Sequence, residues 1–179
     1  MASRAQALQG FYGGPVWKAH RKAANATMVD SDNVLLLRPA SPASGFSLEN
    51  KQRSPTGSNE VRNEVVAATI YYFDAAVSAG FVEFFEQTLK PAVTDSGASI
   101  LAYFVTEDRK NTFSALPVRE GENVFVWFAR FNNRAAYELH LAALGRSPRW
   151  RDEISKELAR RLKQAPEVVK LSPTTRSLL

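Results

Sequence analysis

The chain has 179 residues, a net charge of +5, no cysteine and two histidines. That length suits one good core, or one core plus a fragment. The missing cysteine excludes disulfides, thiolate metal sites and a cysteine nucleophile, and His20 and His140 are too few for a histidine-rich metal centre, so no cofactor and no metal are assigned.

In chain order, the spacing predicts a helix over residues 4–12 and a break at Gly13-Gly14. Pro15 then stands at the first position of a second helix, where its missing N–H costs nothing. Val34-Leu35-Leu36-Leu37 reads as a short strand stopped by Pro39. Residues 40–61 are rich in Ser, Pro, Gly and Asn and keep no apolar periodicity beyond Phe46 and Leu48, so a flexible linker is expected. Residues 64–73 read as a strand. A helix over 78–93 puts Phe81, Phe84, Phe85 and Leu89 on one face. Residues 99–106 form the next strand.

Residues 111–128, NTFSALPVREGENVFVWF, organise the rest. The run Val124-Phe125-Val126-Trp127-Phe128 is β-branched and aromatic throughout, so it reads as a strand buried on both faces, fed by a turn at 119–123. A helix over 133–144 breaks at Gly145-Arg146. Ser147 and Pro148 restart it as N-cap and first helical position. Trp150, Ile154, Leu158 and Leu162 form an apolar stripe, Pro166 stops the helix, and residues 168–171 are a last strand.

From residue 64 to 173 the order is strand, helix, strand, strand, helix, strand. This is an α+β, ferredoxin-like βαββαβ unit, an antiparallel sheet with helices on one face. Tyr71, Tyr72, Tyr103 and Trp127 are expected to make the other face apolar as well, which calls for a second sheet from a partner chain or a tandem copy. A partial copy is visible. Arg4-Ala5 matches Arg134-Ala135, Pro15-Val16-Trp17 matches Pro148-Arg149-Trp150, and 34–39 matches 168–173, at separations of about 130 to 134 residues. Residues 1–39 then correspond to the second helix and last strand of a first unit, 40–61 to the linker, and 62–179 to a complete unit. On this reading the chain is a truncated tandem protein.

The stretch NTFSALPVREGENVFVWF, GFYGGPVWKAHR, the Pro-x-Trp helix breaks and the closing LSPTTRSLL resemble the NIPSNAP family of the dimeric α/β-barrel superfamily. The resemblance covers everything but the linker. It implies a homodimeric barrel, and tandem units are typical of similar bacterial members. The family has no established catalytic residue set, so no site carries over.

Several residues are candidates to bind a small molecule at the open sheet face. Tyr72, Tyr103, Trp127 and Arg130 are expected to line the face away from the helices. Asn111 is a hydrogen-bonding candidate, and Arg119 and Glu120 flank the Gly121 turn. His140 is a candidate proton carrier on a helix. Against each stands a plainer role: packed aromatic interface, loop cap, charged turn with a local ion pair, or packed helix histidine. The basic runs 17–22 and 146–161 read as solvated helix faces, because Asp152, Glu153 and Glu157 interrupt the second and no stacking motif accompanies it, so no nucleic-acid partner is assigned. No apolar run approaches the roughly 20 residues of a membrane span, and MASRAQALQGFY lacks the apolar region of a secretory signal. A cytoplasmic protein is expected. The function expected is small-molecule binding of unassigned reaction. The alternative is a non-catalytic interaction protein whose apolar sheet is an oligomer interface.

Overall fold

The computed structural model describes residues 1–49 and 51–179; Asn50, inside the expected linker, lies outside the described residues. The elements are α1 (Ala2–Gly13), α2 (Pro15–Ala26), β1 (Leu37–Pro39), β2 (Val65–Phe73), α3 (79–95), β3 (Ser99–Thr106), β4 (Asn123–Phe131), α4 (Arg134–Arg146), α5 (150–161) and β5 (Glu167–Leu171). They fall into two compact units, a larger one of Arg38–Thr106 and Asn123–Leu179 and a smaller one of Met1–Leu37 and Glu107–Glu122. No helix among the described residues is long and apolar enough to cross a membrane.

The sheet of the larger unit runs β1-β3-β4-β2-β5. Strand β4 sits at its centre, as its unbroken apolar run requires: Val124, Phe125, Val126, Trp127 and Ala129 are all buried. It pairs antiparallel with β2 from Val65↔Phe131 to Phe73↔Asn123, and with β3 from Ser99↔Arg130 to Val105↔Phe125. A register shift between Ile100 and Ala102 leaves Leu101 as the extra residue of a bulge. Strand β5 pairs antiparallel with the far side of β2. Without β1, the order β3-β4-β2-β5 is that of the expected ferredoxin-like unit. Strand β1 covers the β3 edge. There the Ala40 N–H donates to the Tyr103 carbonyl at 3.3 Å and the Tyr103 N–H donates to the Ser44 carbonyl at 2.8 Å. The strand expected at 34–37 lies instead at Leu37–Pro39. Pro39, taken from the sequence as its stop, is tolerated inside because an edge strand can do without one N–H.

Both core helices solve the same geometric problem. Phe81, Phe85, Leu89 and Val93 are all buried and recur every fourth residue. An α-helix turns in 3.6 residues, so each such step overshoots by about 40° and the stripe should wander off the core. The π-helical turn Phe85–Leu89, set between the α-helical segments Ala79–Phe84 and Lys90–Asp95, takes up the surplus. In α5 the period-four stripe from Trp150 to Leu158 carries a π-helical turn, Trp150–Ile154, running into Ser155–Arg161. The Ser78 side chain caps α3 and the Asn133 side chain caps α4. Helix α4 continues to Arg146, past the expected break at Gly145, and Ser147 Oγ accepts from the Trp150 N–H at 3.2 Å.

In the smaller unit, α1 and α2 meet at Gly14, where a Cβ would lie 2.8 Å from the Gly10 carbonyl oxygen, so only glycine fits. Tyr12 stacks on Phe113 at 5.4 Å, and Trp17 packs on Phe11 and Tyr12. The Glu107 N–H donates to the Leu36 carbonyl and the Arg119 N–H to the Val34 carbonyl, tying the loop to the 34–37 segment.

Candidate functional site

Strand alternation divides the larger unit's sheet into two faces. Tyr71, Tyr103, Phe125, Trp127 and Ala129 join Phe81, Phe85, Leu89 and Ile154 in the core on the helix side. Their neighbours therefore face away: Val66, Ala68, Ile70 and Tyr72 from β2, Ala102 and Phe104 from β3, and Val124, Val126, Phe128 and Arg130 from β4. This face away from the helices is apolar, as expected, but through different residues, and it is largely covered within the chain: Val66, Ala68, Tyr72, Ala102, Val124 and Val126 are all buried. Tyr71, Tyr103 and Trp127, expected here, lie on the opposite face. Both Tyr71-Tyr72 and Trp127-Phe128 are apolar doublets, so sequence alone gives no sign of which member turns which way. In the helix-side core the Phe85 ring lies 4.6 Å from Phe125, 4.9 Å from Tyr103 and 6.0 Å from Trp127. Burial pushes the Tyr71 phenol up, offset in part by the Trp127 indole. That indole N–H is itself buried without an aligned acceptor.

Tyr103 has a polar neighbourhood of its own. Its hydroxyl donates to Glu86 Oε1 at 2.6 Å, and the Ser41 hydroxyl lies 3.3 Å from the same oxygen. Burial, and then the Glu86 carboxylate, push the Tyr103 phenol up. Lys90 Nζ sits over its ring at 5.5 Å.

Two expected residues do lie on the open face. The Tyr72 hydroxyl donates to Glu167 Oε2 at 2.9 Å. Arg130 pairs in register with Val66 on β2 and Ser99 on β3, and its partly buried guanidinium makes no hydrogen bond or ion pair among the described residues. It acts on Glu64 through space. His140 is buried on the helix side, its Nδ1 2.8 Å from Ser96 Oγ. The Ser96 hydroxyl also lies 2.8 Å from the Val93 carbonyl and 3.2 Å from the Ala92 carbonyl, and the imidazole tautomer decides which of Ser96 and His140 donates to the other. Burial holds the imidazole below its ordinary range.

The remaining expected residues belong to the smaller unit. Asn111 Oδ1 accepts from Arg4 Nη1 at 2.9 Å and from the Phe113 N–H at 3.0 Å, while Nδ2 donates to the Leu116 carbonyl at 2.8 Å. It is a loop organiser. Arg119 donates to Glu122 Oε1 at 2.6 Å across the turn at Gly121, whose φ is +77°, and Glu120 is exposed beside it. His20 is exposed on α2.

The segment read from composition as a linker supplies groups that the sequence did not single out. Residues 40–64 contain no helix or strand among those described. Phe46 lies on the open face, its ring 5.3 Å from Phe104 and 5.0 Å from Phe128. Arg62 donates to the Ser177 carbonyl at 3.0 Å, the Leu179 carbonyl at 2.8 Å and Glu64 Oε1 at 3.0 Å. Arg53 donates to the Arg176 carbonyl, and Arg176 returns a bond to the Ser54 carbonyl. The hydrogen bond from Arg62 holds the Glu64 carboxyl below the usual range, with Arg130 adding to it.

Two clefts border this end of the open face. One, of about 490 Å³, is polar and lined by Ser54, Glu60, Arg62, Asn63, Glu64, Asn132 and Thr175 among others. The other, of about 340 Å³, is lined by Val66, Leu171, Pro173, Leu179 and Arg53. Ser177 lines both. The only signal in the sequence was Phe46 together with the arginines 53 and 62 inside a Ser/Pro-rich stretch, and composition outweighed it.

No family model matches the sequence, and no curated protein matches it. The fold is similar to that of an uncharacterized NIPSNAP-like domain protein from Burkholderia xenovorans, at a TM-score of 0.52 and 17% identity over 65% of this chain and 90% of that one. It is similar too to a NIPSNAP family protein from Agrobacterium tumefaciens, at a TM-score of 0.51 and 16% identity over 70% of this chain and 98% of that one. At these identities the likeness is one of fold: an antiparallel sheet with helices on one face, shared with these NIPSNAP-like proteins.

Proposed function

We propose that this chain is a NIPSNAP-type barrel protein that binds a small molecule at the end of its sheet bordered by the two clefts, beside the face that turns away from the helices. The observation that carries this reading is Arg130. Its guanidinium makes no hydrogen bond or ion pair among the described residues and stands on an otherwise apolar face, so its donors are free for a ligand. An apolar cavity with a few convergent polar groups is the usual form of a ligand site. Of the expected residues Arg130 takes part in this site, whereas Tyr72 lies six residues further along β2, about 20 Å away, bonded to Glu167. Tyr103, Trp127 and His140 contribute packing from the helix side, and Asn111, Arg119 and Glu120 organise the smaller unit. No reaction is assigned: the Glu64 carboxyl is held below its usual range by the Arg62 hydrogen bond and is a weak base.

Native mass spectrometry of the chain purified without added ligand tests this. A retained small-molecule adduct, lost in Arg130→Gln, supports the reading. No adduct after exposure to a metabolite extract overturns it.

A second reading, a homodimeric interaction protein, is favoured by β5. All five of its residues are exposed, with Val168, Val169 and Leu171 at 46%, 39% and 42%. An apolar edge strand of this kind invites pairing with a second copy. Sedimentation at micromolar concentration separates a dimer that Val169→Lys dissolves from a chain that stays monomeric.

A further inference from the structure

We infer that residues 51–62 and 172–179 form a latch that opens as a unit, ahead of the rest of the fold, and by opening uncovers the sheet at Val66. The latch is a gate to this end of the sheet. No ligand is needed for the opening, so it holds whether or not the clefts are occupied.

Five successive main-chain carbonyls, those of residues 175–179, each accept from a side chain of the first segment. Ser54 Oγ donates to the Thr175 carbonyl at 3.2 Å, Arg53 to the Arg176 carbonyl at 2.8 Å and Lys51 to the Leu178 carbonyl at 3.1 Å. Arg62 serves both Ser177 and Leu179. Thr175 Oγ1 returns a bond to the Glu60 carbonyl at 2.7 Å, and Arg176 one to the Ser54 carbonyl at 3.0 Å. All seven of these bonds join a side chain of one segment to the main chain of the other, so breaking them disturbs no helix or strand ladder. Each group released meets water at once, because no residue of either segment is buried. Exposed polar contacts without packed apolar surface belong to the least stable part of a fold.

What lies beneath is built differently. Val66 is 1% exposed, on a strand paired on both sides. It shares the smaller cleft with Arg53, Pro173, Ser177 and Leu179 of the latch and with Leu171 of β5. The polar cleft is walled by the latch too, through Ser54, Glu60, Arg62 and Thr175. Lifting the latch therefore dismantles both clefts and bares an apolar strand to water. That exposure is unfavourable and keeps the closed state the populated one. The first segment is anchored at Ser44, buried and bonded to Tyr103 of β3, and at the start of β2; the second runs on from the end of β5. Both can move while the sheet stays whole.

The chain has no cysteine, so a single introduced thiol reports accessibility without background. The test is the rate of alkylation by iodoacetamide, read by intact mass without denaturant, in Val66→Cys under the latch and in Val93→Cys in the helix-side core, a site equally buried. Val66→Cys is expected to react at least about tenfold faster, since local opening is more frequent than global unfolding. Adding Arg62→Ala, which removes two of the bonds, should speed Val66→Cys by about tenfold more and leave Val93→Cys unchanged. Arg53→Gln removes one bond and should act in the same direction by a smaller factor, which serves if Arg62→Ala fails to fold. Equal rates at the two positions, or an equal acceleration of both, would overturn the inference, because Val66 would then be reached only through global unfolding. No acceleration of Val66→Cys by either arginine substitution would overturn it as well.

Discussion

Phe85 lies at the point where the π-helical turn of α3 meets the sheet, and its removal tests how the core was built. The residue is fully buried and packs on Tyr103, Phe125 and Trp127 at ring separations of 4.9, 4.6 and 6.0 Å. Burying a phenylalanine and then deleting it to alanine costs about 3–5 kcal/mol, and three aromatic contacts put Phe85→Ala near 4 kcal/mol. For a chain of this size that corresponds to a fall of about 8–16 °C in Tm. Phe84 is the internal control. It is one residue earlier and partly buried, 6.1 Å from Phe81 and with the Arg161 guanidinium 4.8 Å over its ring. Phe84→Ala should cost less than about 2 kcal/mol. Urea unfolding followed by far-UV circular dichroism measures both, with unchanged m-values expected. Equal costs, or a cheaper Phe85→Ala, would refute the claim that the π-turn holds the period-four stripe against β3 and β4.

Three further predictions follow from individual contacts. His140 is kept neutral by burial, so its folded pKa lies below the unfolded value of 6.5. Its contribution is fully present above 6.5 and is lost as pH falls from there through the folded pKa; the urea midpoint should drop between pH 7.5 and 5.5, and His140→Gln should flatten that drop. Glu107 is held to about 2 by its bidentate bond to Arg109. Its stabilisation is complete above the ordinary value of 4.5 and lost as pH falls toward 2. Because the Arg109 side chain is 65% exposed, solvent limits the effect to below about 1 kcal/mol, and Arg109→Met should remove it in an acid titration of stability. Gly121→Ala forces a side chain onto a residue at φ +77° and should cost about 1–2 kcal/mol in the smaller unit, read by chemical denaturation.

The sheet was legible because β4 announces itself. A five-residue β-branched and aromatic run leaves no alternative to a central strand, and the order of elements around it then prescribes the ferredoxin-like arrangement. The period-four stripe 81-85-89-93 would drift by about 120° around a regular α-helix, a hint of its π-turn, whereas 150-154-158 drifts only about 80°, fits a regular helix and gave no sign of the turn at Trp150–Ile154. What composition hid was facing. In a strand apolar on both sides, Tyr71 and Tyr72 or Trp127 and Phe128 exchange places without disturbing the pattern, and only packing against α3 assigns them. Residues 40–64 were obscure for another reason. Their order rests on hydrogen bonds between arginine side chains and main-chain carbonyls more than 100 positions away in sequence, such as Arg62 to Ser177, and no local pattern encodes such pairings. Arg130 was recognised as a candidate, but Arg62 and Val66, which line the two clefts, were not.

The most direct test of a ligand site on the open face is a methyl-resolved NMR titration of the intact chain with decanoate. The account predicts shifts at Val66, Ala68 and Leu171, saturating together, with Val124 at the far end of β4 and the helix-side methyls of Leu89, Val93 and Ile154 unmoved. Shifts confined to the helix-side set, or none at saturating decanoate, would contradict it.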